Sequence, residues 1–571
     1  MNQNLSDPWE EILNLPQIIK HSAKTYGDRP ALASVTGTVY TYRELDAAVS
    51  YLAGTLRSAG IGPGDRVAIL AENSPHWGIA YFGILTAGAV AVPILPDFQA
   101  PEIRSILDHA EVRLLFVSGK IISRLPLGVF ENVEMVINTD SLRMPETESG
   151  KIVPPGTRQG KLEKLIVEPE LLSTKRNFPV AAPGDLASII YTSGTTGRSK
   201  GVMLSHQNIL SNAKYSRTMH QVLPEDVFLS ILPLAHAYEC TIGMGVPLLN
   251  GASVHYTERP PTASYLAPLL RRVAPTTMLT VPLIIEKIYR SRIKPALEKT
   301  AITRILMKVR PTRRMLSRKA VGQLSEFFGG RLRFFGVGGA PLAPEVEKFL
   351  FEGRFPYAIG YGLTETSPMV AGFGPSAAVY RSVGTVMEGT TVRIDQPDPA
   401  TGEGEILVKG PNVMMGYYKQ ESVTAEVFTS DGYFRTGDLG TLDHKGILYI
   451  RGRSKNMILG PNGENIYPEE IEAVINSEAM VSESLVMQYK GKLVARVHLN
   501  LESIEATLHH LKENAVEFQQ QVQAKAQEAL DELMVRVNQH VSRNARIQQM
   551  ILQMDPFEKT PTQKIKRFLY I

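Results

Sequence analysis

At 571 residues the chain exceeds what one hydrophobic core organises, so several lobes are expected, and 43% hydrophobic with 21% charged residues excludes a disordered or fibrous chain. A formal net charge of +4 is too small for this length to signal nucleic-acid binding. The one cysteine, Cys240, rules out an intrachain disulfide and, set in an apolar stretch, reads as a small buried hydrophobe rather than a nucleophile.

The opening residues, MNQNLSDPWEEILNLP, hold no basic run followed by an apolar core, which argues against a secretory signal. The longest uncharged apolar stretch, 240–257, is broken by Pro247, Asn250, His255 and glycines and is no membrane span, so a cytoplasmic protein is expected. From about residue 15 to 120 helical patterns alternate with short apolar runs: 42–60 as helix, 66–71 as strand, 80–88 as helix, 89–94 as strand. This alternation predicts an α/β lobe with a mainly parallel sheet, and a second such lobe runs from near Leu186 past Tyr361.

Residues 191–206 read YTSGTTGRSKGVMLSH. Hydroxyl side chains (Thr192, Ser193, Thr195, Thr196, Ser199) alternate with Gly194, Gly197 and Gly201 and close on Lys200. Small residues let backbone N–H groups approach phosphate oxygens, hydroxyls donate further bonds and the lysine adds charge, so the loop suits a polyphosphate. It is not GxxxxGK[ST], because Arg198 and Ser199 separate Gly197 from Lys200. The flanks, LASII before it and Ser205-His206 after it, read as a strand and a helix start.

Further along, LPLAHAYEC places His236 in apolar surroundings, as a core histidine or a pocket residue. Residues 286–319 carry twelve Lys and Arg against Glu286 and Glu298, interleaved with Ile305, Leu306, Met307, Met315 and Leu316. That pattern suits a surface lying on anionic lipid or a solvated basic face, with RNA a weaker third. Strand-like RLRFF leads into GVGGAPL, and residues 357–359 lead into GYGLTET. Residues 378–450 change texture to short β-branched runs between turns, predicting a small antiparallel β-lobe that contains YFRTGDLG. After RGRSKNMILGPNGENIYPEEIE, the remainder reads as a small α+β domain. It comprises a helix from Pro468, strands at 484–489 and 493–499 around KGK, a long polar helix within 504–540, a last strand near 547–554, and the ending FEKTPTQKIKRFLY.

In that order, YTSGTTGRSKG, PLAH, GYGLTET, YFRTGDLG and the lysine-bearing tail resemble the motifs of the AMP-forming adenylating enzymes, and RSKNMI, GENIYPEEIE and EKTPTQKIKR resemble those of the long-chain fatty-acid–CoA ligases among them. The resemblance covers nearly the whole chain. It implies a large N-terminal domain of two α/β lobes plus a β-lobe over residues 1–452, a hinge at 453–456, and a small mobile α+β C-terminal domain over 457–571. It further implies that 192–197 wrap the phosphates of ATP with Lys200, that Gly339, Ala340, Ile359, Gly360 and Tyr361 hold adenine, and that Thr364 approaches the α-phosphate. Glu365, with Thr192, would bind Mg²⁺, and Asp438 would take the ribose hydroxyls with Arg453 nearby.

Lys455 occupies the hinge position, Gly463 the wall of the pantetheine tunnel, and Lys564 the catalytic lysine, although Gln563 replaces the glycine usual before it. His236, Gly338 and Gly362 would line the acyl pocket. Ala235 and His236 leave no carboxylate for an amino-acid amine, and Gly362, where acetate-restricted relatives carry tryptophan, favours medium to long chains. The implied activity is conversion of a fatty acid to acyl-AMP and then acyl-CoA, with ATP, Mg²⁺ and coenzyme A. The alternatives are loading of an acyl carrier protein, or a non-catalytic nucleotide-binding protein at a membrane surface. No nucleic-acid partner is expected, and the basic segment would place the enzyme against the inner face of the membrane.

Overall fold

The computed structural model describes residues 9–140, 142, 178, 180–192, 199–258, 262–459, 465–478, 480–500, 515–560 and 564–570. The glycine-rich residues Ser193, Gly194, Thr195, Thr196 and Gly197, together with Gly463, lie outside them.

Two sheets form the large domain. A seven-stranded sheet runs in the order Gly416–Tyr417, Lys200–Ser205, Leu186–Thr192, Val90–Pro93, Arg66–Leu70, Val112–Val117, Met135–Asn138. From Leu186–Thr192 to Met135–Asn138 its strands are parallel. A thirteen-stranded sheet begins at the hairpin strands Pro30–Ser34 and Val39–Thr41 and continues through the parallel strands Ser253–Tyr256, Val227–Ser230, Thr277–Thr280, Phe334–Val337 and Tyr357–Tyr361. Beyond Tyr357–Tyr361 it turns antiparallel, through Ala371–Gly372, Gly384–Val386, Ile447–Arg453, Phe434–Leu442, Gly404–Lys409 and Thr391–Asp395. The expected β-lobe is thus the antiparallel half of a sheet shared with the α/β lobe. The two lobes are also not consecutive in sequence, because Pro30–Ser34 pairs with Ser253–Tyr256.

Local chemistry accounts for the helices that frame these sheets. Thr41 caps Tyr42–Ser58 through a reciprocal box with Glu44, satisfying orphan N–H groups of the first turn. Pro75–Thr86, capped by Ser74, begins five residues before the expected 80–88 and is apolar all round, so it shows no amphipathic stripe to read and is buried on nearly every face. Trp77, Phe82, Tyr42 and Tyr256 lie in the largest core, between the sheets. Ser205 caps His206–Tyr215 where the sequence placed a helix start. Cys240 is buried, and burial pushes its thiol up to about 12, which keeps it inert.

The small domain has its own core. Val481–Tyr489 and Lys492–Leu499 form a hairpin, Gln549–Leu552 adds in parallel, and Pro468–Ile475 and Ala515–Asn538 cover the sheet with Ile471, Ile475, Leu530 and Leu533. Its tail is fastened by Arg567, which donates to Glu472 at 2.8 Å and to the carbonyl of Val486 at 2.9 Å.

Candidate active site

The parallel strands Phe334–Val337 and Tyr357–Tyr361 deliver two loops at their C-terminal ends, the usual place for a ligand crevice in an open α/β sheet. Gly339 in the first has φ +86°, a conformation that a side chain disfavours, and Gly339 and Ala340 are exposed. Gly338 beneath them is buried, and a Cβ there would come within 3.1 Å of the Tyr238 ring. Ile359, Gly360 and Tyr361 lead into the second loop, where Thr364–Thr366 makes a single 3-10 turn that carries Thr364 and Glu365.

Asp438, on the antiparallel strand Phe434–Leu442, is buried. Its Oδ2 accepts from the Tyr361 hydroxyl at 2.8 Å, and its Oδ1 pairs with Arg453 Nε at 2.8 Å. Burial raises the carboxyl pKa and the Arg453 charge works against that rise. Each oxygen retains a second lone-pair direction, so the group can still accept from a ribose hydroxyl. Tyr361 therefore links the loop after Tyr357–Tyr361 to Asp438 through its hydroxyl as well as offering a ring face.

Lys200 and Thr192 come from the other sheet. Leu186–Thr192 and Lys200–Ser205 pair antiparallel with Thr192 opposite Lys200, so the lysine starts a strand rather than ending a loop. Gly416–Tyr417 adds alongside, with Tyr417 opposite Val202. The Tyr417 hydroxyl donates to Glu365 Oε1 at 3.0 Å, and Lys200 Nζ stands 4.7 Å from the centre of the Tyr417 ring. One tyrosine thus touches both the lysine and the carboxylate, and it carried no signal in the sequence. Asn212 is a second such residue: it donates to the carbonyl of Thr366 at 2.9 Å and accepts from the Met369 amide at 3.0 Å, clamping the loop behind Glu365.

Removing one hydrogen bond to a carboxylate costs about 1.5 kcal/mol. Tyr417→Phe is accordingly expected to raise both the Mg²⁺ requirement and the KM for ATP by about tenfold, with the KM for the acid unchanged. A titration of initial rate against Mg²⁺ checks this, and an unaltered Mg²⁺ dependence contradicts the positioning role.

Among the described residues no three His, Cys, Asp or Glu side chains cluster to cage a metal. A lone carboxylate with one oxygen engaged fits Mg²⁺ held mainly by polyphosphate and water, as that cation prefers. Thr192 is half-buried at the end of its strand, opposite Lys200.

From the small domain, Lys564 reaches this cleft. Its N–H donates to Thr560 Oγ1 at 3.2 Å and its carbonyl accepts from the Thr560 amide at 2.7 Å, which fixes the backbone at Lys564. Crowding by the cleft and the positive charge of Arg453 lower its pKa, while Asp438 and Glu365 hold it up. The side chain nevertheless keeps solvent-accessible surface, as an ammonium between two domains can when the protein mass around it displaces water without covering it. That accessibility decides whether a ligand can reach the ammonium. Burial and, secondarily, the Lys564 charge push His236 down to about 4, so its imidazole is neutral at physiological pH. Nearby Glu239 is fully buried while His236 is half-buried, and the Glu239 carboxyl is pushed up to about 8 by burial with Oε2 unpaired among the described residues. Lys455 is exposed in the 3-10 turn Ser454–Asn456, immediately after Arg453.

Gly362 is held by its backbone surroundings. A Cβ at this position would lie 1.9 Å from the Pro368 carbonyl oxygen and 2.9 Å from Met369 Cα, so backbone contact explains the glycine. A side chain there would press on the backbone behind the turn that carries Glu365, a reason for the glycine that is separate from acyl-chain length.

A family model described as AMP-binding enzyme matches residues 19–418. The long-chain-fatty-acid–CoA ligase heimdall of Drosophila melanogaster is 30% identical, over 81% of this chain and 72% of its own. A chloroplastic long-chain-fatty-acid–[acyl-carrier-protein] ligase of Arabidopsis thaliana is 28% identical over 88% of this chain and 78% of its own. Among solved structures, an anthranilate CoA ligase in complex with anthranoyl-AMP superposes with a TM-score of 0.74 at 18% identity, covering 99% of this chain and 98% of that one, which is a likeness of fold.

Proposed function

The chain belongs to the AMP-binding enzymes, ATP- and Mg²⁺-dependent ligases that convert an acid to its acyl-adenylate, and on that footing we propose that its acid is a medium- to long-chain fatty acid and its acceptor coenzyme A. The observation that carries the adenylating chemistry is the pairing of Asp438 with Tyr361 and Arg453 on one side of the site and of Tyr417 with Glu365 and Lys200 on the other. The likeness to long-chain-fatty-acid–CoA ligases over more than four fifths of the chain supports the choice of acid.

A carboxylate does not expel oxide to a thiol, so the acid is activated first. Its oxygen attacks the α-phosphorus of ATP, pyrophosphate leaves, and the thiolate of coenzyme A then attacks the acyl carbon and AMP departs. No side chain serves as covalent nucleophile; the protein positions the reactants and neutralises charge. Asp438 accepts the ribose hydroxyls, Tyr361 and the Gly339–Ala340 loop take adenine, and Lys200 with the glycine-rich residues 192–197 meets the phosphates. Glu365 holds Mg²⁺, which when bound supplies positive charge to the polyphosphate. Lys564 lies between the attacking carboxylate and the α-phosphate, Thr364 stands beside it, and the neutral His236 leaves the acyl entrance uncharged. For the second half-reaction the small domain turns about residues 453–456, withdraws Lys564 and brings Gly463 to the pantetheine.

A carrier-protein thiol is the second reading, favoured by the likeness to the Arabidopsis thaliana ligase. A panel of acids from acetate to oleate in a pyrophosphate-release assay, followed by coenzyme A or acyl carrier protein, separates the possibilities. Release is expected to rise with chain length, and thioester to form with coenzyme A. A maximum at acetate, or acylation of the carrier protein alone, contradicts the corresponding half of the proposal.

A further inference from the structure

The helices between Pro282 and Phe327 present a surface that a soluble monomer has no reason to build. Ala301–Lys308 has no buried residue at all. Ile302 and Ile305, spaced to share one face, are 70% and 64% exposed, and Val309, four residues on, is 50% exposed. Leu283 and Met315 are likewise exposed at 58% and 62%.

Between these aliphatic side chains stand cations, and the structure sorts them. Arg313 is committed to Glu352 by two bonds of 2.7 and 2.8 Å, Lys294 to Glu345 at 3.0 Å, Arg290 to Glu286 at 3.6 Å, and Arg292 lies over the Phe327 ring at 4.9 Å. Arg304, Lys308, Arg310, Arg314, Arg318 and Lys319 are exposed and form no salt bridge among the described residues. Arg310, Arg314 and Arg318 follow one another at four-residue spacing along Arg310–Phe327, whose first turn holds no acidic residue. Like charges at that spacing oppose the helix, and cations at its N-terminus oppose the macrodipole, so an anionic surface relieves both costs.

We propose that the helical pair Ala301–Lys308 and Arg310–Phe327 docks on the headgroups of an anionic lipid bilayer, with Ile302, Ile305, Val309 and Met315 entering the acyl boundary and Arg310, Arg314 and Arg318 meeting lipid phosphates. Charge complementarity chooses an anionic partner, and the exposed aliphatics choose lipid over nucleic acid, whose bases stack on aromatic rings. Among the described residues no helix is long and apolar enough to cross a membrane, so this is a surface contact. The docking face is also continuous with the site. Glu286 Oε1 accepts from the Ala343 amide at 2.8 Å, and Glu345 in the same stretch takes the Tyr289 hydroxyl at 3.1 Å. The helical segment that leads into the docking pair is therefore tied to the chain just after the Gly339–Ala340 loop, which sets the cleft near the phase into which an amphiphilic acid partitions.

The test is co-sedimentation of the full chain with vesicles of phosphatidylcholine alone or mixed with phosphatidylglycerol, across a salt series. Binding to the anionic vesicles is expected, weakening as salt shortens the screening length. Each cation near the surface contributes roughly fivefold, so the triple change of Arg310, Arg314 and Arg318 to Gln is expected to weaken binding on the order of a hundredfold. Ile302→Ser with Ile305→Ser is expected to remove the part of the binding that persists in high salt. Both variants are expected to release pyrophosphate with a water-soluble short acid at the parental rate, which shows that they fold. Because the readout is sedimentation, its failure is distinct from a failure of the proposed chemistry. Equal binding to neutral vesicles, undiminished binding by the triple variant, or capture of RNA without capture of vesicles overturns the proposal.

Discussion

Lys564→Ala is expected to slow acid-dependent pyrophosphate release by roughly 10²–10³-fold, the loss of about 3–4 kcal/mol that follows when a preorganised charge is removed from a transition state. In adenylation two negative groups, the attacking carboxylate and the α-phosphate, must come within bonding distance. The ammonium that feels Asp438, Glu365 and Arg453 is the cation the small domain brings to that meeting. In the proposed second half-reaction the nucleophile is a thiolate and the leaving group is AMP, and the proposed turn of the small domain carries Lys564 away. The same variant, given acyl-adenylate and coenzyme A, is therefore expected to form acyl-CoA at close to the parental rate. Parental rates in both assays would make Lys564 a solvated charge on a basic tail. Equal losses in both would assign it to folding or docking of the tail, and the alternation would have to be abandoned.

The opposite separation is expected at Lys455. Residues 454–456 form a single 3-10 turn directly after Arg453, and proline fits the φ of such a turn while forbidding the large torsional change that turning the domain requires. Lys455→Pro is thus expected to hold the conformer in which Lys564 faces the cleft. Pyrophosphate release should persist, while thioester formation from supplied acyl-adenylate falls by at least roughly 10²-fold, equivalent to about 2.7 kcal/mol of barrier. Retained adenylation serves as the control for folding. If the variant completes both halves, the pivot lies elsewhere in the chain.

The parts of this site that were legible in the sequence are those where local backbone chemistry dictates residue type. The glycine at φ +86° in GVGGAPL and the turn residues around Glu365 and Asp438 announce themselves because few alternatives permit the geometry. Cys240, the helix caps at Thr41 and Ser205, and the KGK hairpin were legible for the same reason. What stayed hidden depends on contacts between distant segments. Tyr417 sits in an ordinary strand pair, and only folding places it against Glu365 and Lys200, more than fifty and two hundred residues away. The pairing of Pro30–Ser34 with Ser253–Tyr256, which interleaves the two lobes, leaves no local trace. Gly362 shows the converse: its type was legible but its reason was not, because the Pro368 carbonyl that excludes a side chain is seen only in the folded loop.

The account turns on one cleft performing two reactions in sequence, and a single-turnover rapid-quench experiment tests that most directly. Enzyme, ATP, Mg²⁺ and labelled oleate are mixed, aged without coenzyme A, and then mixed with it. The account predicts that acyl-AMP accumulates to about one equivalent per site, with matching pyrophosphate, and that coenzyme A converts it to acyl-CoA without a further equivalent of ATP being consumed. Acyl-CoA formed with no acyl-AMP preceding it, or bound ATP and oleate that never yield pyrophosphate, contradicts it.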